Sequence, residues 1–573
     1  MRLLHSLHRD ELTAEMLAAG PVPMRQDDQS IGGIQDSRPT RAANLWRIGA
    51  ACLSAGLCRL AIPPGSLWPA VLCCWLPLLI ALWKLPWRHA LVIGLLHGVV
   101  VNLFGFYWVY SALRSNIELG SAASFAVFTL LILYQAGRSA AIAVALALSS
   151  RRGWSLWVAF PLVLVTTELA YPIVFPWYSG HFALSVPAWA QLAEFGGPFL
   201  LTAWIAAANA GLAEAWLHRR RPRRVSVRHV IGSAVLIAAV TLLGHVRILA
   251  IEARVERAPS VRIGVIQGNL NPSRKETRDP VAVYRKESSA LLAREPNLDL
   301  LVWPEEAVYF PVRNSQLASF LRESVWRGRR EWGEQSLAIP LLAGMLIWDD
   351  AGRASAADPR MHDAAVASQL HNAAILTSRG GRIVGRYDKR KLMPIGEYSA
   401  LPEWLRTKQD KPEPKYVTGE SNAALLLGPY RLGLSICYED ILHRSFREAI
   451  LESNPHLMIN LAADSWFQRS PGPSLHLTLA RLRAIEHRKF LLQVTETGST
   501  GLVSPTGTII WSLPEDERTH GAVSARWLDI PTWYQRLGDW PWCLAVILLA
   551  WTLFARPPWS VKTQEPSSAS HCA

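Results

Sequence analysis

The sequence predicts a multi-span α-helical membrane domain joined to an α/β domain, and three observations predict it. Half of the 573 residues are hydrophobic and the mean hydropathy is positive at +0.14, which separates the chain from ordinary soluble domains. The apolar excess is gathered into long runs before residue 247 and one run near the C-terminus. From Val261 the runs become short and are separated by Gly, Pro and Asp, the pattern of buried strands.

The long apolar stretches lie at 46–63, 67–83, 87–112, 121–149, 154–175, 189–217 and 229–246, with one more at 540–555. Several reach the ~20 residues that a hydrocarbon core requires. The second and the last are short and need flanking aromatics such as Trp540 and Trp559. A membrane domain of about seven helices is thus expected over 45–248, and an eighth over 538–556. Residues 1–44 read as a disordered cytoplasmic tail, because their best apolar run, 12–19, is broken by Glu15. Residues 557–573 read as a second cytoplasmic tail.

Basic residues orient these stretches. The connectors after the second, fourth and sixth carry Lys84 and Arg88, then Arg151 and Arg152, then Arg219, Arg220, Arg221, Arg223, Arg224 and Arg228. The alternate connectors carry only Arg114, with Arg59 near one segment end, and 171–187 has no Lys or Arg. Positive-inside asymmetry therefore predicts a cytoplasmic N-terminus and an α/β domain on the outer face. The same asymmetry accounts for much of the net charge of +14, so the basic balance points to membrane topology and not to nucleic acid.

Between residues 247 and 535 the spacing predicts strands at 261–267, 298–303, 341–347, 373–377, 383–387, 423–427, 432–436, 457–461, 491–495 and 501–504. Helices are expected at 282–293, 316–328 and 476–487. Alternation of this kind is α/β. No zinc-type cysteine spacing, Walker loop or Gly-rich dinucleotide turn is present, so no cofactor or metal is expected.

Cys437 is the only cysteine in this 247–535 stretch, and it ends the run Leu432-Gly433-Leu434-Ser435-Ile436-Cys437-Tyr438-Glu439-Asp440. A lone thiol at a strand end is either core filling or a nucleophile. A second apolar run, Leu300-Leu301-Val302-Trp303-Pro304-Glu305-Glu306, ends on a carboxylate, and Tyr387-Asp388-Lys389-Arg390-Lys391 supplies an ammonium with Glu397 eight residues on. Singly, such strand-end charges are usually solvated; Glu, Lys and Cys in that order, two of them directly after buried strands, seldom arise by chance. A thiol is only a few per cent ionised at neutral pH and needs a base, and the tetrahedral intermediate it forms needs a cation or N–H groups for its oxyanion.

These segments resemble the nitrilase, or carbon-nitrogen hydrolase, superfamily, and within it the membrane-bound apolipoprotein N-acyltransferases. Further similarity lies in Ile266-Gln267-Gly268-Asn269, Asn460-Leu461-Ala462-Ala463-Asp464-Ser465-Trp466-Phe467, Ala480-Arg481-Leu482-Arg483-Ala484-Ile485-Glu486, Gly538-Asp539-Trp540 and Phe106-Tyr107-Trp108. The resemblance implies an α-β-β-α sandwich as a periplasmic catalytic domain over 258–530 of a bacterial inner-membrane protein. It also implies a catalytic trio of Glu305 as base, Lys389 with the Tyr438 N–H as oxyanion donors, and Cys437 as acyl carrier. Glu397 and Glu439 would be supporting carboxylates and Tyr438 a pocket residue; read locally, the two glutamates are loop salt bridges and the tyrosine is core. The implied partners are a phospholipid acyl donor and a diacylated lipoprotein acceptor, joined by a cysteine thioester.

Three departures from the family pattern touch substrate-facing elements: Glu276 in place of tryptophan, Glu496 in place of asparagine, and a charged arm at 403–414 in place of a longer apolar one. They leave open a paralogous nitrilase-fold membrane acyltransferase or amidase with another substrate, such as the TraB-like proteins of conjugal transfer, and a non-catalytic scaffold.

Overall fold

The computed structural model describes residues 41–63, 65–115, 120–219, 223–270, 279–328, 336–349, 369–394, 396–398, 415–467, 469–555 and 557. Met1–Leu45 forms one unit, described only from Arg41, and Trp46–Ala573 forms a second. The expected tails lie outside the described residues apart from 41–44, which are helical, and 557; Glu276 and the 403–414 arm lie outside them entirely.

The helical part consists of α1 (Arg41–Ala61), α2 (Trp68–Val71), α3 (Leu76–Leu82), α4 (Trp87–Phe106), α5 (Trp108–Ser115), α6 (Ser121–Arg151), α7 (Leu156–Ala170), α8 (Pro187–Ala190), α9 (Ala193–Leu217) and α10 (Arg223–Arg257). All seven expected N-terminal stretches are helical. Among the described residues, four helices are long and apolar enough to cross a membrane: Trp87–Phe106, Ser121–Arg151, Ala193–Leu217 and Val227–Arg257. The second stretch is broken into α2 and α3 by a turn, and α7 has 15 residues, about 22 Å of helix against a core of about 30 Å. Arg41, Arg47 and Arg59 dilute the apolar character of α1. Helix α4 lies close on α6, and a Cβ on Gly98 would stand 2.6 Å from the Ala136 carbonyl oxygen; small residues allow this backbone approach.

Helix α10 runs past its expected end and feeds directly into the α/β part. Its strands are β1 (Ser260–Gln267), β2 (Leu300–Val302), β3 (Val308–Arg313), β4 (Leu341–Trp348), β5 (Gln369–Thr377), β6 (Ile383–Asp388), β7 (Lys415–Tyr416), β8 (Leu425–Leu427), β9 (Tyr430–Ile436), β10 (Leu457–Ala462), β11 (Leu491–Thr495), β12 (Gly501–Val503), β13 (Ile509–Ser512) and β14 (Thr519–Arg526). One sheet has the order β14-β1-β2-β4-β5-β6, with β3 on β4 and β7 on β5; the other runs β13-β12-β11-β10-β9-β8. Alternate residues of facing strands, among them Val261, Ile263, Val265, Leu432, Leu434 and Ile436, form one dry core between the sheets.

The outer faces carry helices. On the first sheet, Tyr284 and Leu291 of α11 (Pro280–Arg294) and Leu317 of α12 (Leu317–Phe320) share a core with Leu301 and Trp303. On the second, Phe446 and Ile450 of α13 (His443–Ser453) and Leu477, Ala480 and Ala484 of α14 (Gly472–His487) cover Met458, Leu491 and Val503. This is the α-β-β-α sandwich that the resemblance implied. The expected helix at 316–328 is α12 followed by a π-helical turn, Leu321–Arg327.

The chain returns through α15 (Trp533–Leu537) and the apolar α16 (Trp540–Phe554). Sandwich and helical part are joined by buried polar contacts. Glu194 of α9 accepts from Arg247 of α10 at 2.6 Å and from Arg488 of the sandwich at 2.5 Å, while Leu482 and Ile485 of α14 enter the helical core.

Candidate active site

Three strand ends converge where the sandwich meets the helical part. Glu305 follows β2, Lys389 follows β6 and Cys437 follows β9, and all three line one cavity. Strand ends suit this task because the ladders fix the backbone up to the last residue while the side chain beyond is free to point into the gap.

Lys389 is 2 % exposed and Glu305 4 % exposed, so neither charge is solvated and each must be paired. The Lys389 ammonium donates to Glu305 Oε1 at 3.0 Å and to Glu397 Oε1 at 2.9 Å. Burial alone would lower its pKa, but Glu305 and Glu397 outweigh this and hold it well above the ordinary lysine range. Glu305 Oε2 accepts from the Ala463 N–H at 2.7 Å, and Glu397 Oε2 from the Met393 N–H at 2.7 Å. Both carboxylates are therefore oriented, with the ammonium between them.

Cys437 has φ of +53°, a conformation that costs a non-glycine residue about 1–3 kcal/mol. It stands at the turn from β9 into the 3-10 segment Cys437–Ile441. As the first residues of such a turn, Cys437 and Tyr438 have N–H groups without an intrahelical acceptor. Burial, then the Glu305 charge, push the thiol well above its ordinary pKa, with Lys389 pulling the other way. The resting sulfur is thus a thiol, and activation requires a base.

Glu439 ties the lysine loop to the cysteine turn. Its Oε1 accepts from the N–H groups of Arg390 and Lys391 at 2.7 and 2.9 Å, and its Oε2 from the Ile436 N–H and the Tyr387 hydroxyl at 2.7 and 2.8 Å. The Tyr438 hydroxyl donates to the Val174 carbonyl at 2.5 Å, across to the helical part. Neither Glu397 nor Glu439 is a peripheral salt bridge, and Tyr438 lines the cavity.

The sequence reading missed two neighbours. Asn372 donates to Glu305 Oε1 at 2.7 Å and to Glu397 Oε1 at 3.1 Å; it sits one residue before the expected strand 373–377 and belongs to no motif. His476 also lines the cavity, with Nε2 2.9 Å from Asp440 Oδ1 and Nδ1 3.1 Å from Asp464 Oδ1. Burial opposes its charge, but the two aspartates dominate and hold its pKa well above the ordinary value.

Phe106, Trp108, Val109, Leu113, Leu131 and Phe175 of the helical part form an apolar wall, joined by Met393, Phe467, Leu475 and Leu479 of the sandwich. Trp108 meets Phe467 edge to face at 4.7 Å between centroids, and Phe106 stacks on Phe175 at 5.3 Å. Glu496 is not in the cavity. Its carboxyl accepts from the Tyr284 hydroxyl and the Leu270 N–H beside the end of β1, so this departure is one of packing and not of the substrate wall. A Glu214, His218 and His229 cluster with metal-ligand character lies elsewhere, and the Glu214 oxygens there already accept from Ser155, Leu156 and His218.

Comparison with known proteins agrees with both halves. Residues 262–535 match the family model for carbon-nitrogen hydrolase, and residues 54–211 match that for the apolipoprotein N-acyltransferase N-terminal domain. Fold and site thus define a carbon-nitrogen hydrolase sandwich with a half-buried thiol, built onto a domain of apolar helices. Curated apolipoprotein N-acyltransferases of Pseudomonas syringae pv. tomato and Azotobacter vinelandii are 28% and 29% identical over 91% of this chain, spanning 98% and 96% of their own lengths. Over most of its length the chain is similar to apolipoprotein N-acyltransferases. Among solved structures, the nitrilase-superfamily protein Nit3 of Saccharomyces cerevisiae is 14% identical, with a TM-score of 0.33, over 47% of this chain and 90% of its own.

Proposed function

We propose that this protein moves a fatty acyl chain from a membrane phospholipid, through a thioester on Cys437, to the α-amino group of the N-terminal lipid-modified cysteine of lipoproteins. The observation that carries this reading is one cavity with a buried Glu305-Lys389-Glu397 cluster and Cys437 on one side and an aromatic wall of the helical part on the other. Full-length similarity to apolipoprotein N-acyltransferases, in the helical half as well as the sandwich, favours it over an amidase or TraB-like paralogue.

Glu305 takes the Cys437 proton as sulfur attacks the ester carbonyl. Lys389 and the Tyr438 N–H stabilise the oxyanion, and Glu305 returns the proton to the departing lysophospholipid oxygen. The acceptor nitrogen then attacks the thioester; Glu305 passes a nitrogen proton to the leaving sulfur, and the amide and free thiol result. The sandwich works on the outer, periplasmic face of a bacterial inner membrane, a topology that the arginine asymmetry of the connectors supports.

In phospholipid, the purified protein should gain one acyl mass that hydroxylamine removes, and Cys437→Ser should gain none. An adduct on another cysteine, with Cys437 silent, overturns the mechanism. Depletion of the protein should leave lipoprotein N-termini diacylated in cells, which mass spectrometry reads directly.

A further inference from the structure

Glu306 is unused by the chemistry above, yet it lines the same cavity as Glu305, Lys389 and Cys437. Consecutive residues of an extended chain point to opposite faces. Here the chain turns after β2 and Glu306 has φ of +51°, a left-handed conformation uncommon outside glycine. The turn brings two successive carboxyl groups into one cavity. Glu305 is fully engaged, whereas the half-buried Glu306 makes no hydrogen bond or ion pair with any described residue.

The charged and titratable groups around Glu306 are Glu305, Glu397, Lys389 and Tyr416. With Glu306 ionised, three carboxylates face one ammonium in this corner, and His476, the other cation of the cavity, is paired with Asp440 and Asp464. Such a corner favours a cation over a phosphate. The acceptor enters as an ammonium and must lose two protons to become an amide nitrogen.

Deepening the thioester reading above, on which it rests, we propose that Glu306 is the carboxylate that binds the acceptor's α-ammonium and takes the first of its protons. The ammonium starts with three. One passes to the Glu306 carboxylate, leaving the neutral amine beside the thioester. As nitrogen attacks and the C–S bond breaks, Glu305 carries the second proton to the Cys437 sulfur, and the third stays on the amide. Burial, then Glu305 and Glu397, raise the pKa of Glu306 to about 8, close to that of an α-amino group at about 7.7–8.0, so the empty site is mostly protonated there at pH 7, the acceptor's ammonium binds its ionised form, and the first transfer is nearly isoenergetic. Proton donors and acceptors matched in this way are efficient.

The test is Glu306→Gln in the full-length protein in phospholipid. Thioester formation involves no amine and serves as the control for folding and for the first half-reaction. Transfer from the preformed thioester to a diacylated lipopeptide at pH 7 should fall by about 10- to 100-fold, within or just below the range for a lost proton acceptor. Transfer to the same lipopeptide bearing a hydrazide, uncharged at pH 7, should match wild type. Wild-type transfer by Glu306→Gln to the α-amine acceptor, or an equal loss with the hydrazide, overturns the proposal. Absence of any Cys437 thioester in the wild type overturns the reading beneath it instead.

Discussion

The two walls of the cavity are built on opposite rules. On the sandwich side, Glu305, Lys389 and Glu397, and Glu439 behind them, are each held by two or more partners at 2.7–3.1 Å. On the helical side, Phe106, Trp108, Val109, Leu113, Leu131 and Phe175 contribute no charged group at all. The first arrangement fixes reacting groups in advance of substrate, because a buried charge without partners costs several kcal/mol. The second offers area and no direction, which suits acyl chains of varying length. The division predicts that chemistry fails on one wall and chain selection on the other.

The largest effects should come from the polar wall. Glu305→Gln keeps the shape and removes the proposed base, so the rate of thioester formation should drop by about 10²- to 10⁴-fold. Lys389→Met removes the proposed oxyanion cation, a loss expected at roughly 3–4 kcal/mol of transition-state stabilisation. It also leaves Glu305 and Glu397 facing each other, so its melting temperature should fall while that of Glu305→Gln changes less. Near-normal thioester formation in both variants would remove the polar wall from the chemistry.

Trp108→Ala tests the other wall. It should slow acylation by long-chain phospholipid roughly tenfold, the loss of about 1.4 kcal/mol of apolar contact, and barely alter acylation by a short, water-soluble thioester. An equal loss with both donors would make Trp108 a structural support and erase the contrast.

The smallest effect lies outside both walls. Burial raises the Glu496 carboxyl to about pKa 8, so the folded state holds a proton that the unfolded chain releases above about pH 4.5. Stability contributed by this proton is complete below the unfolded value and is lost as pH rises toward 8, by at most roughly 1.4 kcal/mol per unit. Glu496→Gln keeps an uncharged acceptor there and should flatten the decline in melting temperature between pH 5 and 8. An unchanged slope would mean that another group sets it.

The sequence alone determined where the chain is apolar, where the strands lie and which residues end them. Leu491–Thr495 is an expected strand reproduced residue for residue, and Glu305, Lys389 and Cys437 each stand just beyond strands that could be read in advance. These features follow from local periodicity and from a thiol's need for a base. Strands β13 and β14 were not legible, because an exposed Ile509–Ser512 and the polar Thr519–Arg526 carry little pattern of their own; β14 exists through its antiparallel register with β1. Asn372 and His476 likewise gain meaning only from carboxylates far away in the chain. Tertiary structure also decided that Glu496 faces Tyr284 and not the cavity, and that Glu306 shares a cavity with Glu305. Sequence periodicity records which face of an element is buried, but which buried groups meet is set by how the two sheets and the helices close on one another.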